Sequence, residues 1–221
     1  MLKRYWRKDV KGKIKTLIYL LKLAGIEEAS DVESLSNEQN IELHIFDFDG
    51  TLFRSPKKPV GWKGSWWANK LSLEPPCVPD KPGDEWWISE TVSAAMAAIS
   101  DPNIFAVCLT GRQDFIYRGR LPIILNEKGL NFDMIRLSDS QDTGRFKSSH
   151  IRHLLKQHRS IRKVVIWEDN AELLETYIGV VISVSPDIEI ETHLVNEEPM
   201  PAGEGCSPET NNTYRAEPRR R

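Results

Sequence analysis

The stretch Ile45-Phe46-Asp47-Phe48-Asp49-Gly50-Thr51 decides the fold that this sequence predicts. It ends an apolar run, residues 41–46, that only Glu42 and His44 interrupt, and such a run indicates a buried β-strand. Two carboxylates one residue apart follow the strand, and the glycine after them lets the backbone turn away. Because ligands in open α/β sheets bind beyond the carboxyl ends of the strands, a site is expected here.

Asp47 and Asp49 have two interpretations. Neighbouring carboxylates repel each other unless a cation or a shared proton lies between them, and ligation by oxygen alone suits Mg²⁺. The simpler alternative is that both residues only cap a turn, since Asp-Gly pairs are common in turns. The choice depends on what the rest of the chain places beside them.

After this stretch, strand-like apolar runs alternate with helical periods. The further predicted strands span residues 104–109, 134–137, 164–167 and 180–184. The predicted helices span residues 88–99, 114–128, 146–158 and 171–177, with Pro122 kinking or splitting the second. This alternation predicts an α/β fold, a Rossmann-like doubly wound parallel sheet, because parallel neighbours require crossover connections.

Polar triplets follow two of the later strands. Thr110-Gly111-Arg112 comes after the strand at 104–109, and Glu168-Asp169-Asn170 after the strand at 164–167. Together with Asp47 and Asp49, they predict one active site built from separated parts of the sequence.

In this order the motifs resemble the haloacid dehalogenase superfamily of aspartate-nucleophile phosphohydrolases. The family pattern has Asp-x-Asp-x-Thr after the first strand, Ser or Thr after the second, then a Lys, and an acidic pair after the fourth. The matching residues are Asp47-Phe48-Asp49-Gly50-Thr51, Thr110, Lys147 and Glu168-Asp169, within residues 41–184. More narrowly, Asp-Phe-Asp-Gly-Thr-Leu-Phe, Leu-Thr-Gly-Arg, Phe-Lys and Trp-Glu-Asp resemble the phosphatase-type domain named after Swiss Army Knife RNA-repair proteins.

The resemblance implies a role for each matched residue. Asp47 would attack the phosphoryl group, Asp49 would act as general acid and base, and Thr110 would hydrogen-bond a phosphoryl oxygen. Lys147 would neutralise charge on Asp47 and on the phosphoryl oxygens. Mg²⁺ would bind Asp47, the backbone carbonyl of Asp49, and Asp169. Glu168 would either bind the metal directly or contact one of its ligands. A phosphate dianion needs such cations, because it cannot otherwise approach two carboxylates.

Two of these assignments leave alternatives. Lys156 or Lys163 could lie near the site instead of Lys147, which is preferred because Thr143 or Ser140 could cap its helix upstream of the fourth strand. Glu168 departs from the commoner Asp-Asp and Gly-Asp forms of the last motif, which leaves the metal geometry open.

Residues 54–87 form an irregular, Pro- and Gly-rich flap in place of a full cap domain, and they hold five of the seven tryptophans. An irregular loop of this length is usually functional. The tryptophans either pack on one another or offer aromatic faces to a base or sugar, with Trp62, Trp66 and Trp67 as candidates. Arg112 and Arg118 are candidate contacts to further phosphates, and each could equally be an ordinary surface charge.

The segments outside the domain at 41–186 differ in composition. Residues 1–40 combine a basic amphipathic helix with an acidic linker; the helix either packs on the domain or contacts a phosphate backbone or an anionic membrane. Residues 187–221 are rich in Glu, Pro, Gly, Ser and Asn and are predicted to be a disordered tail.

The composition of the whole chain limits the partners and the cellular compartment that we expect. The net charge of -2 gives no global basic field, so a nucleic-acid site would have to be local. Cys77, Cys108 and Cys206 lack metal-like spacing and predict reduced thiols in a cytoplasmic or nuclear protein. The apolar window at residues 16–26 is too short to span a bilayer and lacks a cleavage site, so we expect a soluble protein without stable membrane association.

The leading hypothesis is a Mg²⁺-dependent phosphomonoesterase that acts on a nucleotide or on an RNA or DNA end, with RNA repair implied by the narrower resemblance. One alternative is a small-molecule or phosphoprotein phosphatase of the same fold. The other is a binding protein that keeps the fold without the chemistry.

Overall fold

The computed structural model describes residues 41–203 and 205–208. The predicted basic helix and linker, and the last thirteen residues of the predicted tail, lie outside these described residues. Five parallel strands form one sheet in the order β3-β2-β1-β4-β5, which confirms the predicted α/β architecture. The strands are β1 (Ile41–Phe46), β2 (Ile104–Gln113), β3 (Met134–Ser138), β4 (Ile161–Glu168) and β5 (Glu189–Leu194).

Five α-helices connect the strands. They are α1 (Ser89–Ser100), α2 (Asp114–Tyr117), α3 (Leu121–Glu127), α4 (Thr143–Gln157) and α5 (Ala171–Val184). The predicted split at Pro122 is confirmed, because this proline lies in the first turn of α3. At that position its missing N–H removes no helical hydrogen bond.

The core has two halves, one on each face of the sheet. On one face, Leu43, Ile45 and Val107 pack against α4 and α5. On the other face, Phe46, Ala106 and Cys108 pack against α1 to α3 and against flap residues. Burial of a large apolar side chain contributes about 1.5–3 kcal/mol, so these two layers fix the sheet and with it the edge that carries the motifs.

The predicted last strand at residues 180–184 is wrong, because these residues belong to α5. Val180 and Val181 are buried whereas Ile182 is 51% exposed, which is the pattern of one helix face. A short apolar run has no period that separates a buried strand from a helix. The true last strand is β5, inside the region predicted to be disordered, so that prediction is also wrong for β5. β5 is an edge strand that pairs only with β4. Its sequence, Glu-Ile-Glu-Thr-His-Leu, contains too few apolar residues to predict a strand.

The chain after β5 returns to the flap. The N–H of Lys57 donates to the carbonyl of Met200 over 3.1 Å, and the N–H of Gly203 donates to the carbonyl of Cys77 over 2.9 Å. Cys77 and Cys206 form a disulfide, which corrects the prediction that all three cysteines are reduced thiols. Their separation of 129 residues hid this pairing from the sequence. Cys108 is a free, buried thiol in β2, as expected of a core residue.

Within the described part of the chain, no helix is both long enough and apolar enough to cross a membrane. The flap contains only two short 3₁₀ turns, Lys70–Ser72 and Asp84–Trp86, and no large cap domain is evident there.

Candidate active site

The motifs meet at the carboxyl edge of the sheet because the strands are in register. Phe46, the last residue of β1, lies opposite Cys108 of β2 and Trp167 of β4. Asp47 and Thr110 therefore lie just beyond this row of three paired residues. The backbone N–H of Asp47 also donates to the carbonyl of Trp167 over 3.0 Å, which ties the first motif to β4.

Gly50 allows the acidic pair after β4 to approach the first motif. Its φ of +68° lies in the left-handed region, and a Cβ added there would lie 2.4 Å from Asp169 Oδ2. Any side chain at this position would collide with the Asp169 carboxylate. The glycine is thus required both by the turn and by the close approach.

Lys147 lies between two carboxylates. Its Nζ is 2.8 Å from Asp47 Oδ1 and 2.8 Å from Glu168 Oε2, and its side chain is 2% exposed. The sequence alternatives lie elsewhere: Lys163 pairs with Glu189 and Glu191 on the β5 side, and Lys156 is exposed near the end of α4. The structure therefore brings Lys147 to the first motif.

The helix that carries Lys147 is capped by a residue that the sequence analysis did not choose. Asp142 is the N-cap of α4, and its carboxylate accepts from the N–H of Arg145 over 2.9 Å. Thr143, one of the two predicted caps, is the first helical residue instead. Thr and Asp are both frequent caps, so local sequence did not separate them.

Three carboxylates converge at this point. Asp47, Glu168 and Asp169 each offer an oxygen, and these oxygens lie within 4.8 Å of one another. With the ammonium of Lys147, three negative charges and one positive charge leave a formal charge of -2. A divalent cation would balance that charge, and an all-oxygen donor set is the kind that Mg²⁺ prefers. The residues present therefore fit a magnesium ion.

The pKa values reflect this crowding of negative charge. Burial raises the pKa of Asp47 to about 7, with Glu168 and Asp49 adding to the rise and Lys147 opposing it. Asp169 is exposed as a residue, but partial desolvation of its carboxylate and the charge of Asp47 raise its pKa to about 6. Burial also raises the pKa of Glu168. All three carboxylates would gain from a bound cation.

The same surroundings favour the charged form of Lys147, whereas they disfavour the charged forms of the three carboxylates. Burial lowers its pKa, but the attraction of Asp47 and Glu168 outweighs burial and leaves the pKa above its ordinary value. Lys147 therefore stays charged and supplies a fixed positive charge beside Asp47.

Asp49 lies apart from the three-carboxylate cluster and is held by Arg112. Arg112 Nε is 3.0 Å from Asp49 Oδ1 and 2.9 Å from Oδ2, and Nη2 is 2.7 Å from Oδ1. The hydroxyl of Ser55 also donates to Oδ1. Arg112 is 2% exposed, so the alternative that it is an ordinary surface charge is wrong, while its contact to further substrate phosphates stays a prediction. Its guanidinium has a partner inside the protein.

A shell of flap and α2 residues surrounds Arg112. Its Nη1 donates to the hydroxyl of Ser72, and its guanidinium carbon lies 4.7 Å from the ring centroids of both Trp67 and Tyr117. Burial lowers the pKa of Arg112, but Asp49 outweighs it and the net shift is upward. No sequence pattern had marked Ser55, Ser72 or Tyr117, because their roles depend on the pairing of Arg112 with Asp49, 63 residues apart in the chain.

The other predicted residues separate into those near the site and those away from it. Thr110 is fully buried within β2, which extends past the predicted end to Gln113, and its hydroxyl accepts from the N–H of Arg112 over 3.1 Å. Arg118 is exposed and pairs with Asp114 within α2 and its cap, with 3.7 Å between the charged atoms. The structure does not bring Arg118 to the cluster.

The tryptophans of the flap differ in burial, and contact of any of them with a base or sugar stays a prediction. Trp62 and Trp66 are buried and pack edge to face, with ring centroids 4.9 Å apart. Trp86 and Trp87 pack against Phe53 in the main core. Trp67 is different, because it is 52% exposed and lies against Arg112. Of the three candidates, only Trp67 presents a ring to solvent.

Comparison with known proteins gives a family match and several weaker likenesses. The uncharacterized protein YMR265C of Saccharomyces cerevisiae is 22% identical over 165 residues, which is 62% of this chain and 36% of that protein. The chain thus spans about a third of the length of this curated relative.

Two solved structures have a similar course of the chain. One is the Pnkp1/Rnl/Hen1 RNA repair complex, with a TM-score of 0.48 and 14% identity over 72% of this chain and 44% of that one. The other is the HAD domain of the Legionella pneumophila effector Lem4, with a TM-score of 0.47 and 13% identity over 80% of this chain and 93% of that one.

The family model that matches is described as HAD domain family 1 in Swiss Army Knife RNA repair proteins, and it covers residues 53–198. The match begins after Asp47 and Asp49 and includes Thr110, Lys147 and the acidic pair of β4. It spans more than half of the 221 residues, so the chain belongs to the HAD domain family 1 of Swiss Army Knife RNA repair proteins.

Proposed function

We propose that this protein is a Mg²⁺-dependent phosphomonoesterase that forms an aspartyl-phosphate on Asp47 and acts on a nucleotide or on an RNA or DNA end. The observation that carries the proposal is the position of Lys147 between Asp47 and Glu168, beside Asp169. A buried nucleophile, a fixed cation and a metal-fitting set of carboxylates are the parts that phosphoryl transfer needs.

In the first step, a carboxylate oxygen of Asp47 attacks phosphorus while the bond from phosphorus to the leaving oxygen breaks. Asp49 gives its proton to that leaving oxygen. In the second step, water attacks phosphorus, Asp49 takes a proton from the water, and the bond between Asp47 and phosphorus breaks. Inorganic phosphate leaves and both carboxyl groups return to their starting states.

Hydrogen bonding distinguishes the two oxygens of Asp49. Oδ1 accepts from Ser55 and from two nitrogens of Arg112, whereas Oδ2 accepts from Arg112 Nε alone. We assign proton exchange to Oδ2, because it has the fewer hydrogen bonds to lose. Arg112 and Ser55 then act as positioning residues that fix the orientation of this carboxyl group.

Lys147 remains charged next to Asp47 and reduces the repulsion between that carboxylate and an incoming phosphate. Asp47 and Asp169 would hold Mg²⁺, with Glu168 and the backbone carbonyl of Asp49 as the further candidate ligands. The ion would supply positive charge for the phosphoryl oxygens when bound. Thr110 lies next to Arg112 at the same edge and is the candidate donor to a phosphoryl oxygen.

The nucleic-acid part of the proposal is supported by the family, which is named for RNA repair proteins, and by an exposed tryptophan beside the Asp49–Arg112 pair. No large cap is evident among residues 41–203, which leaves room there for a substrate larger than a sugar phosphate.

Phosphate release from 4-nitrophenyl phosphate and from a 3′-phosphorylated oligonucleotide, each with Mg²⁺ or EDTA, tests the proposal. We expect metal-dependent release that Asp47→Asn abolishes and that the exposed control Asp187→Asn retains. Better turnover of the oligonucleotide supports the nucleic-acid assignment, and better turnover of small sugar phosphates or phosphopeptides would overturn it. Absence of release from every phosphoester would overturn the enzymatic assignment in favour of a binding protein.

A further inference from the structure

Residues 56–71 form an arm of the flap that leaves and re-enters the site. The residue before the arm, Ser55, donates to Asp49, and the residue after it, Ser72, accepts from Arg112 Nη1. Both ends of the arm are therefore attached to the same buried ion pair. A ligand that contacts Trp67 would therefore lie close to Arg112 and to Asp49, the residue that we assign to protonate the leaving group.

The arm has a defined conformation although it contains little regular structure. Trp62 and Trp66 pack on each other in a small cluster with Leu71 and the Cys77–Cys206 disulfide. The indole N–H of Trp66 donates to the carbonyl of Pro56 over 2.8 Å, which closes the base of the arm. The Tyr117 hydroxyl lies 2.9 Å from the carbonyl of Trp67 and so fixes the backbone at that residue.

The arm leaves the indole ring of Trp67 exposed to solvent. Trp67 is 52% exposed while the Arg112 guanidinium lies 4.7 Å from its ring centroid. Exposure of so large an apolar side chain costs free energy, and aromatic residues beside a site are typical of surfaces that bind a partner. The ring is thus held in place from within and has surface left for a ligand.

The arm also has a charge unlike that of the whole chain. Residues 56–71 contain four basic residues and no acidic residue, and Arg54 just before them adds a fifth, whereas the chain has a net charge of -2. The five are Arg54, Lys57, Lys58, Lys63 and Lys70. Arg54 and Lys57 pair with Glu197 and Glu198 of the returning C-terminal segment, while Lys58 and Lys63 are exposed on the arm. Exposed lysines and an exposed aromatic ring on one short segment are the combination that binds single-stranded nucleic acid.

We propose that the arm binds the nucleotides next to the terminal phosphate of a single-stranded nucleic acid, with Trp67 stacking on a base and Lys58 and Lys63 contacting backbone phosphates. This inference rests on the proposed phosphomonoesterase function and names the part of the substrate that the arm recognises. Stacking on one aromatic ring tolerates any base, so the arm selects for a single-stranded end and not for a sequence.

Binding can be measured without turnover in the Asp47→Asn background, using fluorescence anisotropy of a labelled, 3′-phosphorylated single-stranded oligonucleotide with Mg²⁺ present. We expect Trp67→Leu to raise Kd about tenfold and Trp67→Phe to raise it less, because loss of one base–aromatic stack has an effect of this order. Circular dichroism checks that each variant keeps the fold.

Salt dependence tests the lysines separately. In the Lys58→Gln/Lys63→Gln double variant, the slope of log K against log salt should become shallower by about 1.4, since each single-strand phosphate contact contributes about 0.7. Lys156→Gln, on the exposed side of α4, is the matched control and should keep the original slope.

The outcomes separate this inference from the function on which it rests. Loss of affinity in Trp67→Leu together with the shallower slope supports the arm, even if no phosphoester is hydrolysed and the enzymatic assignment fails. Unchanged Kd and slope in these variants, together with measurable phosphatase activity of the protein that retains Asp47, would overturn the arm while the enzymatic assignment stands. Equal or tighter binding of a phosphopeptide through Trp67 would also overturn it.

Discussion

Arg112 donates from both Nε and Nη2 to the carboxylate of Asp49, 63 residues away in the chain, and the two side chains form a buried to half-buried ion pair. The guanidinium is planar and carries its donors in a fixed fork, so it sets the plane of the carboxylate as well as its position. Asp49 is consequently oriented by the second strand and by the flap together.

Replacement of Arg112 by Lys keeps the charge but removes the fork, so we expect a poorly oriented Asp49 and a kcat/KM, which reports the first step, lower by about tenfold to a hundredfold. The loss should be larger for an alkyl phosphate than for 4-nitrophenyl phosphate, because 4-nitrophenolate leaves without a proton. Steady-state kinetics on both substrates measures this difference. The exposed Arg118→Lys serves as control, and an equal loss on both substrates would contradict a role of Arg112 through Asp49.

Gly50→Ala should disrupt the acidic cluster. The added Cβ would lie 2.4 Å from Asp169 Oδ2, so the carboxylate has to move away from Asp47. We expect the affinity for Mg²⁺ to fall at least tenfold in isothermal titration calorimetry. Gly64→Ala is the matched control, since Gly64 also has a positive φ of +89° but nothing lies within 4 Å of its Cβ position. Equal effects of the two substitutions would mean that backbone strain, and not the collision, is responsible.

The metal-free protein should become less stable as the pH rises from about 4 to about 7. Burial raises the pKa of Asp47 to about 7 in the folded state, above its ordinary value of 3.8, so the folded state holds a proton that the unfolded chain releases. The stability from this group is fully present below the unfolded pKa and is lost as the pH rises through the folded one. Asp169, with a pKa of about 6, acts in the same direction.

Urea unfolding in EDTA at several pH values measures this dependence. Asp47→Asn cannot titrate at this position, so its stability should vary less with pH than that of the native protein. Mg²⁺ should stabilise the native protein more at pH 8 than at pH 5, because protons compete with the ion for the same carboxylates. A native profile that matches that of Asp47→Asn would contradict the assignment.

Reduction of the Cys77–Cys206 disulfide should loosen the flap, because the bond ties the arm cluster to the returning C-terminal segment. Loss of a native disulfide typically costs about 2–5 kcal/mol of stability. We expect dithiothreitol to speed tryptic cleavage at Lys58 and Lys63 and to lower Tm. A Cys77→Ser/Cys206→Ser variant should show the reduced behaviour with or without reductant, and a native protein insensitive to reductant would contradict the prediction.

Local sequence was sufficient for the framework of the site. The period of β1 and the Asp-x-Asp-Gly-Thr turn follow from steric preferences of a few adjacent residues, so they can be predicted without knowledge of the fold. The polar residues that follow the alternating strands, Thr110 and Asp169 among them, predicted one site at the sheet edge, and the family resemblance added Lys147. The structure brings Thr110 to the Asp49–Arg112 pair and Lys147 and Asp169 to Asp47. Parallel pairing is what made that inference possible, since it places all carboxyl ends on the same side.

The sequence was misleading where a role depends on a distant partner. Arg112 had the sequence context of a surface arginine, yet it is buried because Asp49 and Ser72 receive its donors. Residues 180–184 are apolar enough for a strand, but they form the end of α5, where Val180 and Val181 are buried in the same core cluster as residues of α4. The strand β5 has too few apolar residues to be recognised from its own sequence, and only its pairing with β4 shows that it is a strand.

By itself, therefore, the sequence determined the fold class, the family resemblance and the identity of the residues at the sheet edge, because periodicity and short motifs act between neighbours in the chain. Only the tertiary structure decided that Lys147 lies between Asp47 and Glu168, that Arg112 holds Asp49, and that Trp67 alone among the flap candidates is exposed. Those facts depend on burial and charge pairing between segments far apart in sequence, and such pairings exist only once the chain is folded.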